Sequence, residues 1–189
     1  MAVELRWPSE IELDSYVAAL ERGWSPNTLD DGAGRVELAA IRRDAGAFLA
    51  SMVDLEARGP AIRLPDGTDA FRIPGYRKWM WDGEFCGSIG LRWQPGTEEL
   101  PPHVLGHVGY SVVPWKRRLG HATSALRAIL IDAAAEGLRW IEVTTDVDNA
   151  ASQGVIEAVG GTLVERFTYL PAYGGGDGLR YRIDVGSGA

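Results

Sequence analysis

The stretch VVPWKRRLGHATSAL, residues 112–126, places three consecutive cations at the start of an amphipathic helix pattern. The cations at 116–118 follow an apolar run that ends at Pro114, and the small residues Gly120 and Ala122 come soon after. Backbone N–H groups at such a strand-to-helix junction are unpaired and partly positive, so extra cations there favour a phosphate or pyrophosphate ligand. A solvated basic turn before an ordinary helix explains the same residues equally well. Neither GxxxxGK(S/T) nor GxGxxG occurs, which points away from nucleoside triphosphates and dinucleotides.

The strand before this turn carries two residues that could exchange protons. His107 and Tyr110 lie in the apolar run 107–113, and strand alternation points them to opposite faces. Parity with Val112 favours Tyr110 for the side that would face a ligand, although a bulge near residue 111 would reverse this. Imidazole suits a general base at neutral pH, and the alternative is a structural histidine. For Tyr110 the alternative is a packing role.

Other polar residues could also take part in chemistry. Cys86 is the only cysteine, so no internal disulfide can form, and we interpret it as a small strand residue rather than a nucleophile. Glu98 and Glu99 could attract a cationic substrate or could form part of a solvated loop. His103 lies in a proline-rich loop and is less constrained.

Length and charge limit the class of protein. A chain of 189 residues suits a single domain over residues 1–189 with a full hydrophobic core. Its net charge of −7 argues against nucleic acid as a partner. No apolar run approaches the roughly 18 residues of a membrane span, and no secretory signal is visible. We therefore expect a cytoplasmic protein that does not insert into a membrane.

Hydrophobic periodicity and turn residues predict the elements that position these side chains. The first part of the chain is predicted to form a strand at 3–7, a helix from Ser9 to about Arg22, a loop at 23–35, a helix at about 44–57 and a loop at 59–75. The middle part is predicted to form strands at 76–81 and 85–93 around a turn at 82–84, and then a strand at 107–113. The last part is predicted to form a helix at 119–136, a strand at 140–145, a helix at 150–159, and strands at 162–169 and 179–185 flanking a turn at 174–176. This order predicts a mixed α/β (α+β) sheet rather than a doubly wound nucleotide fold.

Two blocks of sequence resemble the GNAT superfamily of N-acetyltransferases, which bind acetyl-coenzyme A. Residues 117–122, RRLGHA, resemble its R/Q-x-x-G-x-G/A signature, and HVGYSVVPWKRRLGHATSAL is similar to its fourth strand, turn and third helix. TTDVDNAASQGVIEAVGG, residues 144–161, is similar to its fifth strand and fourth helix. The resemblance covers about residues 3–185 and is closest to a bacterial group of predicted acetyltransferases.

The resemblance implies a central, mostly antiparallel sheet, flanked by helices, whose fourth and fifth strands splay apart. Acetyl-CoA would be the co-substrate, with no metal, and its pantetheine arm would lie between the splayed strands. The pyrophosphate would bind the backbone of 119–122. The cofactor-binding residues implied in this way are Val112, Val113, Arg117, Arg118, Leu119, Gly120, His121, Ala122, Asn149 and Ser152. A purely structural role for Asn149 is also open, because it is placed to cap the helix that follows it.

The implied reaction is direct attack of an amine on the thioester carbonyl. The acceptor would be a small-molecule amine or a peptide amine, and it must lose a proton, for which His107 and Tyr110 are the candidate bases. A backbone N–H near Val112 could stabilise the oxyanion. Homodimers are common in the family, although the sequence shows no interface signature.

One position departs from the family pattern. Many members carry a tyrosine in the fourth helix, four residues before the closing glycine, as general acid, and this chain has Ile156 there. Ser152, Tyr169, Tyr173 or solvent could serve instead. Two alternatives to acetyl transfer therefore stay open: a non-catalytic CoA-binding or regulatory module, and transfer of a different acyl group.

Overall fold

The structure, a computed structural model, describes residues 3–27, 32–64, 67–170 and 175–186. Its helices are α1 (Glu10–Glu21), α2 (Ala33–Arg43), α3 (Ala45–Ser51), α4 (His121–Ala135) and α5 (Ala150–Glu157). Its strands are β1 (Glu4–Arg6), β2 (Val53–Asp54), β3 (Ile62–Arg63), β4 (Asp69–Ala70), β5 (Gly75–Trp81), β6 (Phe85–Arg92), β7 (Val108–Val112), β8 (Trp140–Asp146), β9 (Thr162–Thr168) and β10 (Asp177–Asp184). Within these residues, no helix has the length and apolar character needed to span a membrane.

Apart from the separate β3–β4 pair, the strands form two antiparallel sheets that meet at β7 and β8. One sheet has the order β1-β5-β6-β7, with β2 also paired to β5, and the other has the order β8-β10-β9. The sheets touch at His107, whose backbone N–H donates to the Glu142 carbonyl oxygen at 2.8 Å. Beyond this bond β7 and β8 share no ladder in the described chain, so they diverge. The mixed fold with splayed strands is confirmed.

Helices cover both faces of the sheets and bury two clusters of apolar residues. On one face α4 buries Leu126 and Ile129 against β6 and β8. On the other face α1, α2 and α3 enclose the aromatic cluster around Tyr16 and Trp79, whose rings stack with centroids 4.7 Å apart. Strand alternation divides the side chains of β6 between these two faces, which decides what lines the gap between the sheets.

The helix predicted at 44–57 is wrong in its extent, and α2 was missed. The chain is already helical from Ala33, ends that helix at Arg43, and forms α3 only to Ser51. Gly34 favoured a loop at 23–35, but a Cβ there would lie 2.6 Å from the Trp24 carbonyl oxygen. The glycine is therefore needed for close packing of α2. Asp44 does begin a helix, as predicted, because its side chain accepts a hydrogen bond from the Ala47 N–H at 2.9 Å.

Two further boundaries differ from the prediction. α4 begins at His121 rather than Leu119, because Arg118 (φ +63°) and Gly120 (φ +80°) are left-handed and cannot continue a right-handed helix. The predicted loop at 59–75 contains the short hairpin of β3 and β4. The predicted turn at 174–176 lies partly outside the described residues.

Candidate active site

The divergence of β7 and β8 opens a cleft of about 1790 Å³. Small-molecule pockets usually measure roughly 300–1,000 Å³, so this cleft has room for a long cofactor and a second substrate together. Nine of the residues predicted for the site line it: Tyr110, Val112, Arg117, Arg118, Gly120, His121, Ala122, Asn149 and Ser152. The other three predicted residues, His107, Val113 and Leu119, lie outside the lining.

The first of the three cations is neutralised within the protein. The Lys116 ammonium lies 3.0 Å from an Asp82 carboxylate oxygen and 2.8 Å from a Glu84 oxygen. Hydrogen bonds to Glu84 and Asp82 raise the pKa of Lys116 above its usual range. Lys116 therefore anchors the turn to the loop between β5 and β6, and its charge is already balanced by these carboxylates.

The two arginines are placed differently from Lys116 and from each other. Arg117 donates from Nε to the Val112 carbonyl oxygen at 3.2 Å. For the Arg118 guanidinium, the described part of the chain offers no acceptor within hydrogen-bonding reach. Since Arg118 also lines the cleft, its guanidinium is available to bind an anion there.

The backbone at the start of α4 has the geometry of an anion site. Left-handed residues at 118 and 120 alternate with ordinary ones, which turns nearby N–H groups toward one point. The first helical hydrogen bond runs from the Ser124 N–H to the Gly120 carbonyl oxygen at 3.0 Å. The N–H groups of 121–123 are thus left without an acceptor inside the helix. This arrangement fits a pyrophosphate, as the sequence predicts.

The His121 side chain points away from this anion site. It is only 6% exposed, and its Nε2 lies 3.2 Å from an Asp82 oxygen. Cys86 is next to the same carboxylate, and burial and the Asp82 hydrogen bond raise the pKa of its thiol to about 12. Asp82, Cys86 and His121 lie within 4.8 Å of one another, a spacing that a metal ion could use, but Lys116 already balances Asp82. Cys86 is buried and protonated, in agreement with its interpretation as a structural residue.

Of the two valines on the turn, only Val112 offers its backbone to the cleft. Val113 is fully buried, and its N–H donates to the Cys86 carbonyl oxygen at 2.9 Å. Because alternate residues of a strand direct their N–H groups to opposite sides, the Val112 N–H points away from β6 and toward the cleft. It is the group that can pair with a pantetheine amide or an oxyanion.

Tyr110 and Ser152 meet across the gap between β7 and α5. The Tyr110 hydroxyl lies 2.9 Å from Ser152 Oγ. Asn149 caps α5 by accepting the Ser152 N–H at 3.1 Å, which fixes the serine in place. Burial raises the pKa of Tyr110, although the Ser152 hydrogen bond opposes this. At neutral pH the phenol is therefore protonated and can donate a proton, whereas it is a poor acceptor of one.

His107 lies at the point where the two sheets join. Its Nδ1 accepts the Glu142 N–H at 2.9 Å, its side chain is fully buried, and its ring contacts Trp140 edge-on. Burial lowers the pKa of the imidazole to about 4. The ring is neutral at physiological pH, and its hydrogen bond to Glu142 joins the two sheets at the end of the cleft.

The remaining candidates have the following positions. Ile156 is fully buried in the core, and Tyr173 lies outside the described residues. Tyr169 lines the cleft near Asp146, and burial together with that carboxylate raises the pKa of its phenol. Glu98 lies outside the cleft lining and pairs with Arg139 at 2.7 Å, which lowers the pKa of its carboxyl to about 2.

Sequence analysis missed two arginines in the wall of the cleft. Arg77 on β5 and Arg92 on β6 line the cleft beside Glu37 of α2. Alternation along each strand could have placed each arginine on one face of its strand. Only the pairing register between β5 and β6 shows that Arg77 and Arg92 lie on the same face of the sheet. The sequences of the two strands alone do not determine this register.

The comparison with protein families identifies the chain. The family model described as Acetyltransferase (GNAT) domain matches residues 35–162. The chain therefore belongs to the GNAT acetyltransferase family, and it is an acetyl-CoA-dependent N-acetyltransferase. No curated protein sequence matches it significantly.

Solved structures share its fold at low sequence identity. RimL, a ribosomal L7/L12 alpha-N-protein acetyltransferase in complex with coenzyme A, matches with a TM-score of 0.66 at 15% identity, over 100% of this chain and 97% of its own. Mycobacterium smegmatis RimJ in complex with CoA-disulfide matches with a TM-score of 0.63 at 21% identity, over 96% and 81%. The microcin C7 self immunity acetyltransferase MccE, in complex with acetyl-CoA and AMP, matches with a TM-score of 0.63 at 10% identity, over 97% and 92%.

Proposed function

We propose that this chain transfers the acetyl group of acetyl-CoA to a peptide or small-molecule amine inside the cleft between β7 and β8. The cofactor enters from the turn at 117–123 and the amine from the α1–α3 face. The observation that carries this proposal is the continuity of the cleft, because one space is lined by the anion site, by the Tyr110–Ser152 pair and by residues of α2 and α3.

A peptide α-amine is the acceptor we favour. A Salmonella typhimurium structure with a TM-score of 0.61 and 15% identity is described as the acetyl transferase that modifies the N-terminal serine of ribosomal protein L7/L12. An α-amine has a pKa of about 8, so part of it is neutral at physiological pH, unlike a lysine amine with a pKa of about 10.4. Such an acceptor needs only a weak base, in keeping with the burial of His107.

The residues of the cleft support a direct transfer. The neutral amine attacks the thioester carbonyl carbon, and the Val112 N–H stabilises the oxygen as it becomes negative. The C–S bond then breaks, and the thiolate takes the proton of the Tyr110 phenol. Ser152, 2.9 Å from that hydroxyl, orients it and relays a replacement proton from solvent. The proton lost by the amine leaves through water, with Asp146 as the nearby carboxylate on the cleft wall.

Release of CoA thiol tests this proposal. Purified protein with acetyl-CoA should release thiol in proportion to added N-terminal peptides, and mass spectrometry should find one acetyl group on the α-amine. Tight CoA binding with no turnover on any amine would instead support the non-catalytic CoA-binding module. Faster turnover with another acyl-CoA would change the donor and leave the site as described.

A further inference from the structure

Arg92 lies in the acceptor side of the cleft wall. On β6, Ser88, Gly90 and Arg92 share the face opposite to the core residues Ile89 and Leu91. The β5–β6 register places Arg77 opposite Gly90, so Arg77 and Arg92 are on the same face of neighbouring strands. Both side chains line the cleft on the side covered by α1–α3.

The two arginines differ in what balances their charge. Arg77 lies 2.7 Å from a Glu37 carboxylate oxygen, and Glu37 also accepts the Tyr16 hydroxyl. Arg92 donates its backbone N–H to the His107 carbonyl oxygen, but its guanidinium contacts no acceptor in the residues that the structure describes. Arg92 is exposed, so its guanidinium is open to the space of the cleft. The group formed by Arg77, Arg92 and Glu37 therefore has a net charge of one positive unit in a protein whose net charge is −7.

The guanidinium of Arg92 reaches β7 beside Gly109. Gly109 precedes Tyr110 on β7, and a Cβ at Gly109 would be 3.1 Å from an Arg92 guanidinium nitrogen. The side chain thus reaches across the glycines of β6 and β7 to the edge of the opening. Gly109 is next to Tyr110 in the chain, but the β6–β7 register places Arg92 and the Tyr110 side chain on opposite faces of the sheet, so Arg92 lies on the α1–α3 side from which we place the entry of the amine.

We propose that Arg92 recognises a carboxylate on the acceptor, so that the preferred substrate is an amine that carries a carboxylate close to its nitrogen. This inference rests on the proposed acetyl transfer and specifies its substrate. The Arg92 guanidinium is open to the cleft and has no partner among the described residues, and a carboxylate matches its planar pair of donors and its single charge. Two sources share this chemistry: the α-carboxylate of a free amino acid, and an acidic side chain beside the N-terminus of a peptide.

Acceptors of matched size that differ by one carboxylate test the inference. Each rate is referred to the concentration of neutral amine, because a nearby carboxylate also raises the pKa of the amine. The pairs are the N-terminal dipeptide segments Ser-Asp and Ser-Asn, each with a blocked C-terminus, and free serine and serine amide. With the wild-type protein, kcat/KM should be about 10- to 100-fold higher for the carboxylate member of one pair, as expected for a charge-assisted bidentate contact. The pair that shows the preference identifies the source of the carboxylate.

Variants assign the preference to Arg92. Arg92→Gln should reduce it to less than about 3-fold without changing KM for acetyl-CoA, and Arg92→Lys should keep part of it. Gly109→Ala should reduce it less, because the added methyl group displaces the guanidinium. Arg72→Gln is the control, since Arg72 also lines the cleft but donates from Nε to the Pro60 carbonyl oxygen at 2.6 Å.

The outcomes separate this inference from the proposed function. Equal rates within both pairs for the wild type, or an unchanged preference in Arg92→Gln, would overturn the role of Arg92 while acetyl transfer stands. Absence of acetylation in all four acceptors would count against the proposed function. In that case, calorimetric binding of the same four compounds to the CoA-loaded protein decides the recognition: tighter binding of a carboxylate member that depends on Arg92 supports it, and equal binding rejects it.

Discussion

The two halves of the cleft are built in different ways. The cofactor half, residues 112–123 with 149–152, uses backbone N–H groups and small residues that follow one another along the chain. The acceptor half, around Glu37, Arg77, Arg92 and Gly109, uses long side chains from α2, β5 and β6 beside the glycine of β7. A continuous stretch of backbone can bind the same cofactor in many chains, whereas side chains brought together by a fold can change the substrate without changing that backbone.

The largest effect is expected where the two halves meet, at Tyr110. Tyr110→Phe keeps the ring but removes the proton donor, so kcat should fall about 100- to 10,000-fold while KM for acetyl-CoA stays within about 3-fold. Because its raised pKa keeps the phenol protonated, kcat of the wild type should show no decline below about pH 10. Steady-state thiol release measures both. Tyr169→Phe is the matched control, and a larger loss in that variant would place the acid at Tyr169.

The cofactor half alone should respond to Gly120→Val. A left-handed valine is strained, and relaxing it would turn away the N–H groups that hold the pyrophosphate, so CoA affinity should fall about 100-fold. Gly137→Val is the matched control, because Gly137 has φ +81° against +80° for Gly120, and a Cβ at either glycine has no atom within 4 Å. Both variants should lose similar stability, and calorimetry should find weaker CoA binding only for Gly120→Val. Equal CoA affinity in the two variants would show that the pyrophosphate binds elsewhere.

The junction of the sheets should be sensitive to acid. The pKa of His107 is about 4 in the folded protein against 6.5 for an unperturbed histidine, so the unfolded chain binds more protons between these values. The contribution of neutral His107 to the free energy of unfolding is therefore fully present above about pH 6.5. It is lost as the pH falls toward about 4, by on the order of 3 kcal/mol. Urea unfolding at about pH 7 and about pH 5 measures the loss.

A substitution assigns this acid sensitivity to one residue. His107→Gln retains an acceptor for the Glu142 N–H but does not titrate, so the difference in stability between the two pH values should become smaller. If the variant and the wild type lose the same stability, another group is responsible for the effect.

The smallest expected effect distinguishes the cations of the turn. Arg118→Ala should weaken CoA binding about 10-fold, and the difference should shrink as salt rises, because Arg118 is free to contact phosphate. Lys116→Ala should change CoA affinity by less than about 3-fold but should lower stability, since it leaves Asp82 without its ammonium partner. Calorimetry at low and high salt, with thermal unfolding, separates the two. A larger loss of affinity in Lys116→Ala would mean that its salt bridges break when the cofactor binds.

Much of the fold follows from local pattern. The strands β5 to β8 and the helices α1, α4 and α5 show clear periodicity and cap signals, and their order was sufficient to predict a mixed sheet. The helix α2 was missed because Gly34, which permits contact with the Trp24 carbonyl, has the composition of a loop. The reason for this glycine lies in a neighbour ten positions away, which a local pattern cannot show.

The site divides in the same manner. The cap at Asn149 acts on a residue three positions away, so its sequence neighbourhood predicts it. The left-handed backbone at Arg118 and Gly120 was not predicted, since the helix was expected to begin at Leu119. Strand parity predicts correctly that Tyr110 and Val112 share a face. The contact of Tyr110 with Ser152, which lies 42 positions away in the chain, is seen only in the folded structure. The absence of a partner for the Arg92 guanidinium among the described residues could not be predicted, because it depends on which acceptor groups the fold places near it.

A crystal structure of the protein with CoA tests the central claim most directly. The pyrophosphate should accept hydrogen bonds from the N–H groups of 120–123 with Arg118 in contact. The pantetheine arm should lie between β7 and β8 against the Val112 backbone, with the sulfur beside the Tyr110 hydroxyl. A cofactor bound outside this cleft, or a sulfur far from the Tyr110 hydroxyl, would contradict the account.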